Sequence, residues 1–225
     1  MIMNIVEIGA VIYVANVILS IVIALMIIDK LYISKKFSKE KDFHLYNDLF
    51  SWEMFFIFIG IANVINILSI LIQPTAEIPD FFLKIRLFIL FFAIWIKIIH
   101  LEKVMDKITY ERHYIAGVIP CIFTLVFILI DVPILILSLI FLGTSLIPYM
   151  ILVLIYRNTS TLNKKSMKII FGLICLVTGF VFVPALIADF VRAPETLDLI
   201  IIVAPILIII GNLLIFESFR KELLK

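Results

Sequence analysis

Charge, cysteine and histidine are all scarce in this chain, and each shortage removes a class of protein. Asp, Glu, Lys and Arg make up 16% of the 225 residues and apolar residues 64%, whereas soluble domains average about 25% and about 45–50%. A mean hydropathy of +1.23 points the same way. With so many long apolar runs, almost nothing is left over for a separate soluble domain. The two cysteines, Cys121 and Cys175, both fall inside apolar runs, which excludes a disulfide framework and a zinc site and leaves buried thiols. The three histidines, His44, His100 and His113, form no His-Glu-x-x-His helix, so the two-histidine metalloprotease motif is absent. Together with Asp48 and Glu111 they share no metal-ligand spacing, and no metal is expected. Ser145 has no histidine at its depth to activate it. No paired-Asp transferase motif is visible, so no catalytic residue, no enzyme activity and no cofactor are expected. The first apolar run lacks a basic leader and a small-x-small site, so it reads as an uncleaved anchor.

What the chain does have is long apolar runs. Seven can be drawn, at about 5–28, 49–72, 81–101, 114–130, 133–156, 168–188 and 199–217, most of them near the ~20 residues a helix needs to cross hydrocarbon. Cut at these runs, the cations sort by side. Lys30, Lys35, Lys36, Lys39, Lys41, Lys97, Lys103, Lys107, Arg112, Arg157, Lys164, Lys165, Lys168, Arg220, Lys221 and Lys225 fall on one side, and only Lys84, Arg86 and Arg192 on the other. Basic residues are retained on the cytoplasmic side. The expectation is therefore an all-α, polytopic seven-helix bundle in the cell membrane, a single transmembrane domain over 1–225. Its N-terminus would be outside and its C-terminus cytoplasmic.

The connections fit that plan. The outer ones are short and punctuated by Pro74, Pro79, Pro133 and Pro194, places where a helix is expected to break. Residues 114–156 carry Asp131 as their only charge before Arg157 and suit two spans joined at Asp131-Val132-Pro133. Inside, 29–48 is the longest connection and interleaves Lys with Tyr32, Phe37, Phe43 and Tyr46. It is expected to lie on anionic lipid headgroups, with a protein docking surface as the alternative. Residues 100–113 look helical and extend the third run. Glu217 and Lys221, in the favourable i,i+4 order, extend the last one. No nucleic-acid partner is expected.

Polar groups inside the apolar runs are the candidate site. Asn63, Asn66, Ser69 and Gln73 recur at steps of three, three and four, one stripe of a helix, in the outer half of the second run. Asn16, Thr144, Ser145 and Thr178 lie at similar depth. They either hydrogen-bond between helices, at about 0.6 kcal/mol each, or line a cavity open to the outside. In the third run Lys84 and Arg86 sit near the outer end and Lys97 and His100 near the inner end. A cation at mid-membrane costs about 2.5–3.5 kcal/mol and less near the ends, where long side chains reach water. Lys97 and His100 are thus expected at the cytoplasmic headgroups. Lys84 and Arg86 project on nearly opposite faces, so the deeper Arg86 is expected to point into the bundle. Its expected partner is a carboxylate or an anion, with Asp189 and Asp131 the first candidates and Glu7, Glu77 and Asp80 behind them. Glu53 is expected to pair with Lys97 or a basic loop. Pro148, Pro184 and Pro205 are expected to bend the last three helices, and Gly60, Gly143, Gly172, Gly179 and Gly211 to mark close helix packing. The tentative ligand-binding set is Arg86, Lys84, Asn63, Asn66, Ser69, Asn16, Asp189 and Asp131.

This topology, with compact outer connections and a last helix running into the cytoplasm, resembles the seven-transmembrane input modules of prokaryotic sensor proteins. The resemblance covers the whole chain at the level of topology, without a diagnostic motif. Retinal pigments need a Lys in the last span, and 199–217 has none. Seven-helix sugar exporters carry Pro in matching helices of two repeats, whereas the first two runs have no Pro. The resemblance implies a stand-alone receptor-like sensor that binds a small or lipidic ligand in its outer half. With no output domain in these 225 residues, it would signal through its inner loops to a cytoplasmic or membrane partner. A small transporter or transporter subunit, or a structural subunit of a membrane complex, are the alternatives.

Overall fold

A computed structural model of the chain describes residues 5–37, 43–72, 78–109, 163–182 and 194–223, with isolated positions at 122, 126, 136, 139 and 143. The described residues are all helical. We label the helices α1 (Ile5–Phe37), α2 (Phe43–Ile72), α3 (Ile78–Thr109), α4 (Asn163–Val177, continued by a π-helical turn, Thr178–Phe182) and α5 (Pro194–Leu223). Apart from those isolated positions, the fourth and fifth expected spans, and with them Asp131, Thr144, Ser145 and Pro148, lie outside the described residues, as do Asp189 and Pro184.

Local sequence accounts for the helix ends. No Gly or Pro occurs between Gly9 and Gly60, so nothing in the backbone halts α1 at the membrane edge expected near residue 28. Both α1 and α2 run into the basic 29–48 stretch, and only 38–42 falls between them. Much of the 29–48 connection is therefore helical, as extensions of α1 and α2. Helix α2 stops just before Gln73-Pro74, since the residue ahead of a proline disfavours helical dihedrals. Helix α5 begins at Pro194, where a missing N–H costs nothing because the first-turn donors have no intrahelical partner anyway. The expected extensions of the third and last runs are present, to Thr109 and Leu223.

Three of the helices are long and apolar enough to cross a membrane, over Glu7–Tyr32, Leu49–Ser69 and Ile202–Arg220. The apolar part of α4, Met167–Phe180, is shorter. Helix α3 is long enough but is interrupted by Lys84, Arg86 and Lys97.

Large apolar side chains cover the outside of the bundle as well as filling its core. Val11, Ile18 and Leu25 on α1, Ile61 and Leu68 on α2, Phe171 on α4 and Ile206 and Leu213 on α5 face outward. Asn16, Ser20, Ser51, Asn63, Asn66, Arg86, Lys97 and Asn212 are buried. Contiguous exposed apolar surface around a partly polar interior suits a hydrocarbon solvent, not water. These features make a multi-pass membrane protein the natural reading of the described helices.

Named contacts give the helix directions. Gly60 of α2 approaches Ser20 of α1. Asn16 and Ser20 of α1 meet Pro205 and Asn212 of α5, so α1 and α5 run parallel. Asn66 and Ser51 of α2 meet Arg86 and Lys97 of α3, an antiparallel pair. Helices α4 and α5 cross antiparallel through Gly172 against Gly211 and Gly179 against Ala204. Hence α1, α3 and α5 point one way and α2 and α4 the other. Phe55 and Ile59 of α2, Leu90 and Ile94 of α3, and Leu173, Leu176 and Val177 of α4 surround a void of about 10 Å³. It is apolar throughout, so it has nothing to hold a water.

Candidate functional site

The interior polar groups fall into three layers. One, at the end where α1 and α3 begin, combines Tyr13 and Asn16 of α1, Asn63 and Asn66 of α2, Arg86 of α3 and the Pro205 carbonyl of α5. Arg86 is 5% exposed, and its guanidinium donates to Asn66 Oδ1 at 2.5 Å. Asn16 Nδ2 donates to the Pro205 carbonyl at 2.9 Å, tying α1 to α5. Asn63 Nδ2 donates to the Ile59 carbonyl of its own helix at 3.0 Å. Tyr13 of α1 is buried as well. Asn66 lies seven residues from Ile59, the centre of the α2 span, toward the C-terminal end of α2, or about 10 Å along the helix.

A second layer, deeper in the bundle, joins Ser20 to Asn212 through a longer 3.5 Å bond. The third lies at the opposite end. Lys97 is 2% exposed, donates to Ser51 Oγ at 2.7 Å and sits 3.7 Å above the Trp52 ring. Trp52 in turn stacks on Phe219 of α5 at 5.5 Å, with Phe55 edge-on beside it. The expectation that Lys97 reaches the headgroups is therefore corrected. A hydroxyl and an aromatic face on α2 hold the ammonium inside, and a cation–π contact shielded from water is worth about 2 kcal/mol.

Arg86 points inward as the opposed placement of Lys84 and Arg86 required. Its partner, however, is an amide and not a carboxylate, and Asp189 and Asp131 lie outside the described residues. Ser69 turns back to the Asn66 carbonyl at 2.8 Å and Thr178 to the Ile174 carbonyl at 2.8 Å, so both hydroxyls serve their own helices. Lys84 is half-buried on α3 and engaged in an interaction of its own. Tyr13, Ser20, Ser51, Trp52 and Asn212 complete the layers and were not singled out in the sequence. Asn212 alone carried a signal there, as an amide inside an apolar run next to Gly211.

The first of these layers is incompletely satisfied. Asn16 Oδ1, Asn63 Oδ1, Asn66 Nδ2 and Arg86 Nε are buried and have no hydrogen-bond partner among the described residues; deeper in, the same holds for Asn212 Oδ1. Each such group costs about 1–3 kcal/mol, and more when charged. No group of three metal-binding side chains occurs among the described residues. No protein family, no curated protein and no solved structure matches the chain.

Proposed function

We propose that this is a receptor-like membrane protein of seven crossings, outside at its N-terminus. It binds a small or lipidic ligand in the outer polar layer and passes a change of helix packing to a partner at the cytoplasmic ends. The observation that carries this reading is the set of four buried, partnerless polar atoms gathered from three helices into one layer. A purely structural network would gain by satisfying them, because unpaired polar groups cost more here than apolar replacements would.

Two further features support it. Helix α3 ends and α4 begins at the same end of the bundle, which a seven-crossing arrangement also requires. Helix α5 also runs from the outer layer, at Pro205, to the inner aromatic cluster at Phe219. A movement of α5 at one end is therefore felt by Trp52 and Lys97 at the other.

The transporter reading is favoured by one feature. The π-helical turn of α4 lies against α5 beside Pro205, with Gly179 at the Ala204 carbonyl, and irregular helices at mid-membrane are where transporters bind substrates.

Substituted-cysteine accessibility tests the proposal. In a background with Cys121 and Cys175 replaced, Asn63→Cys and Ser69→Cys should react with a small, charged thiol reagent added from outside. Unreactive cysteines at both positions would leave a sealed packing network and remove the binding site.

A further inference from the structure

Arg86 is a cation deep in the bundle, and among the described residues the group it hydrogen-bonds is the neutral side-chain oxygen of Asn66. Among the described residues no carboxylate lies against it, and its Nε is left without an acceptor. On the other side of the same hydrogen bond, Asn66 Nδ2 is also a buried donor without an acceptor. Because Asn66 Oδ1 is taken up by the guanidinium, the amide orientation is fixed and its nitrogen has to be the free end. Two unpaired donors, one of them charged, thus flank a single contact in the layer nearest the outer face. An oxyanion is the group that satisfies both, since it brings a negative charge and several lone pairs at once.

We propose that Arg86 and Asn66 form the recognition site for a carboxylate-class anion carried on an apolar molecule; this rests on the ligand-binding reading above and names its ligand chemistry. The apolar body follows from the surroundings. Leu87 and Leu90 are buried immediately below Arg86 on α3, and the layer sits within apolar helices where a fully hydrated ion gains little. Charge supplies orientation and the alkyl chain supplies burial. The anion arrives either as the head of an acyl chain from the bilayer or as a small carboxylate from outside.

The test compares dodecanoate, dodecanol and acetate, at a pH where the acid is ionised, binding to the full-length protein in neutral detergent. The wild type should prefer dodecanoate to dodecanol by about tenfold or more, the scale of one charge-assisted hydrogen bond. Arg86→Gln should abolish that preference, Arg86→Lys should retain part of it, and Lys30→Gln, at the opposite end of α1, should leave it intact. Competition by acetate would assign the anion to a small soluble carboxylate, and its failure to compete would assign it to an acyl chain. Should Arg86→Gln not fold, Asn66→Leu keeps the charge and removes the second donor, and an undiminished preference there would overturn the assignment. Equal binding of acid and alcohol to the wild type would overturn the anion site while leaving a ligand cavity. Binding of neither would also overturn it, and the reactivity of Asn63→Cys would then decide separately whether the cavity exists.

Discussion

Lys97 shows how a charge is accommodated where a sequence rule sends it elsewhere. An ammonium near a helix end ordinarily extends toward water, because its flexible stem makes that cheap. Here Ser51 and Trp52 occupy the facing turn of α2, and the ammonium turns to them instead. Both partners are needed to offset the lost hydration. A double-mutant cycle of Lys97→Met and Trp52→Leu should therefore yield a favourable coupling of about 0.5–2 kcal/mol, read from unfolding in mixed micelles. Additive effects would show that the ring merely packs beside the stem. Arg86 is the counterpart at the other end, with its amide partner and its free Nε. The inward direction of Arg86 was legible from its two-residue spacing to Lys84, whose side chain must then take the other face. The identity of its partner was not, because pairing depends on which turn of α2 stands opposite, and one helix's periodicity does not specify that register.

At the level of elements, the α4–α5 crossing depends on small residues seven apart on both helices, Gly172 and Gly179 against Ala204 and Gly211. A methyl group on Gly172 would lie 2.9 Å from the Gly211 carbonyl oxygen and 2.6 Å from the Ile215 side chain. One on Gly211 would lie 2.7 Å from the Gly172 carbonyl oxygen. Backbone oxygens cannot step aside as side chains do, so the helices must separate. Gly172→Ala should destabilise the protein by about 1–3 kcal/mol, the usual cost of overpacking. Gly60→Ala, whose methyl would meet Ser20 Cβ at an ordinary 3.6 Å, should be close to neutral. Equal melting temperatures for the two variants would contradict the crossing as described. The close-packing role was readable for Gly172, Gly179 and Gly211, since small residues let membrane helices approach. The lengths of α1 and α2 were not. Hydropathy marks where a helix leaves the hydrocarbon, and a Lys-rich stretch free of Gly and Pro continues as helix regardless. The same logic made α3 ambiguous by composition, because Arg86 and Lys97 face inward and composition does not register facing.

For the whole molecule, the governing physical fact is an apolar exterior, with amides, a guanidinium and an ammonium set within a largely apolar interior. Long apolar runs make that exterior legible in outline, and sixteen cations sort against three between them. That sorting also implies an orientation, which the antiparallel order of α1 to α3 and of α4 to α5 accommodates without strain. The layers follow from the same directions: Tyr13, Asn66 and Arg86 meet at one end, and Trp52, Lys97 and Phe219 at the other. If the N-terminus is outside, the partnerless donors face the outside and the aromatic cluster faces the cytoplasm, which is the arrangement an inward relay requires. Topology is thus the claim on which binding and signalling both depend. Single cysteines at Thr75, Val132, Thr196, Lys39 and Lys164, in a background without Cys121 and Cys175, test it in intact cells with a membrane-impermeant thiol reagent. Labelling at Thr75, Val132 and Thr196 with protection at Lys39 and Lys164 is the predicted result; the reverse pattern, or protection at Val132 alone, would contradict the seven-crossing, N-outside account.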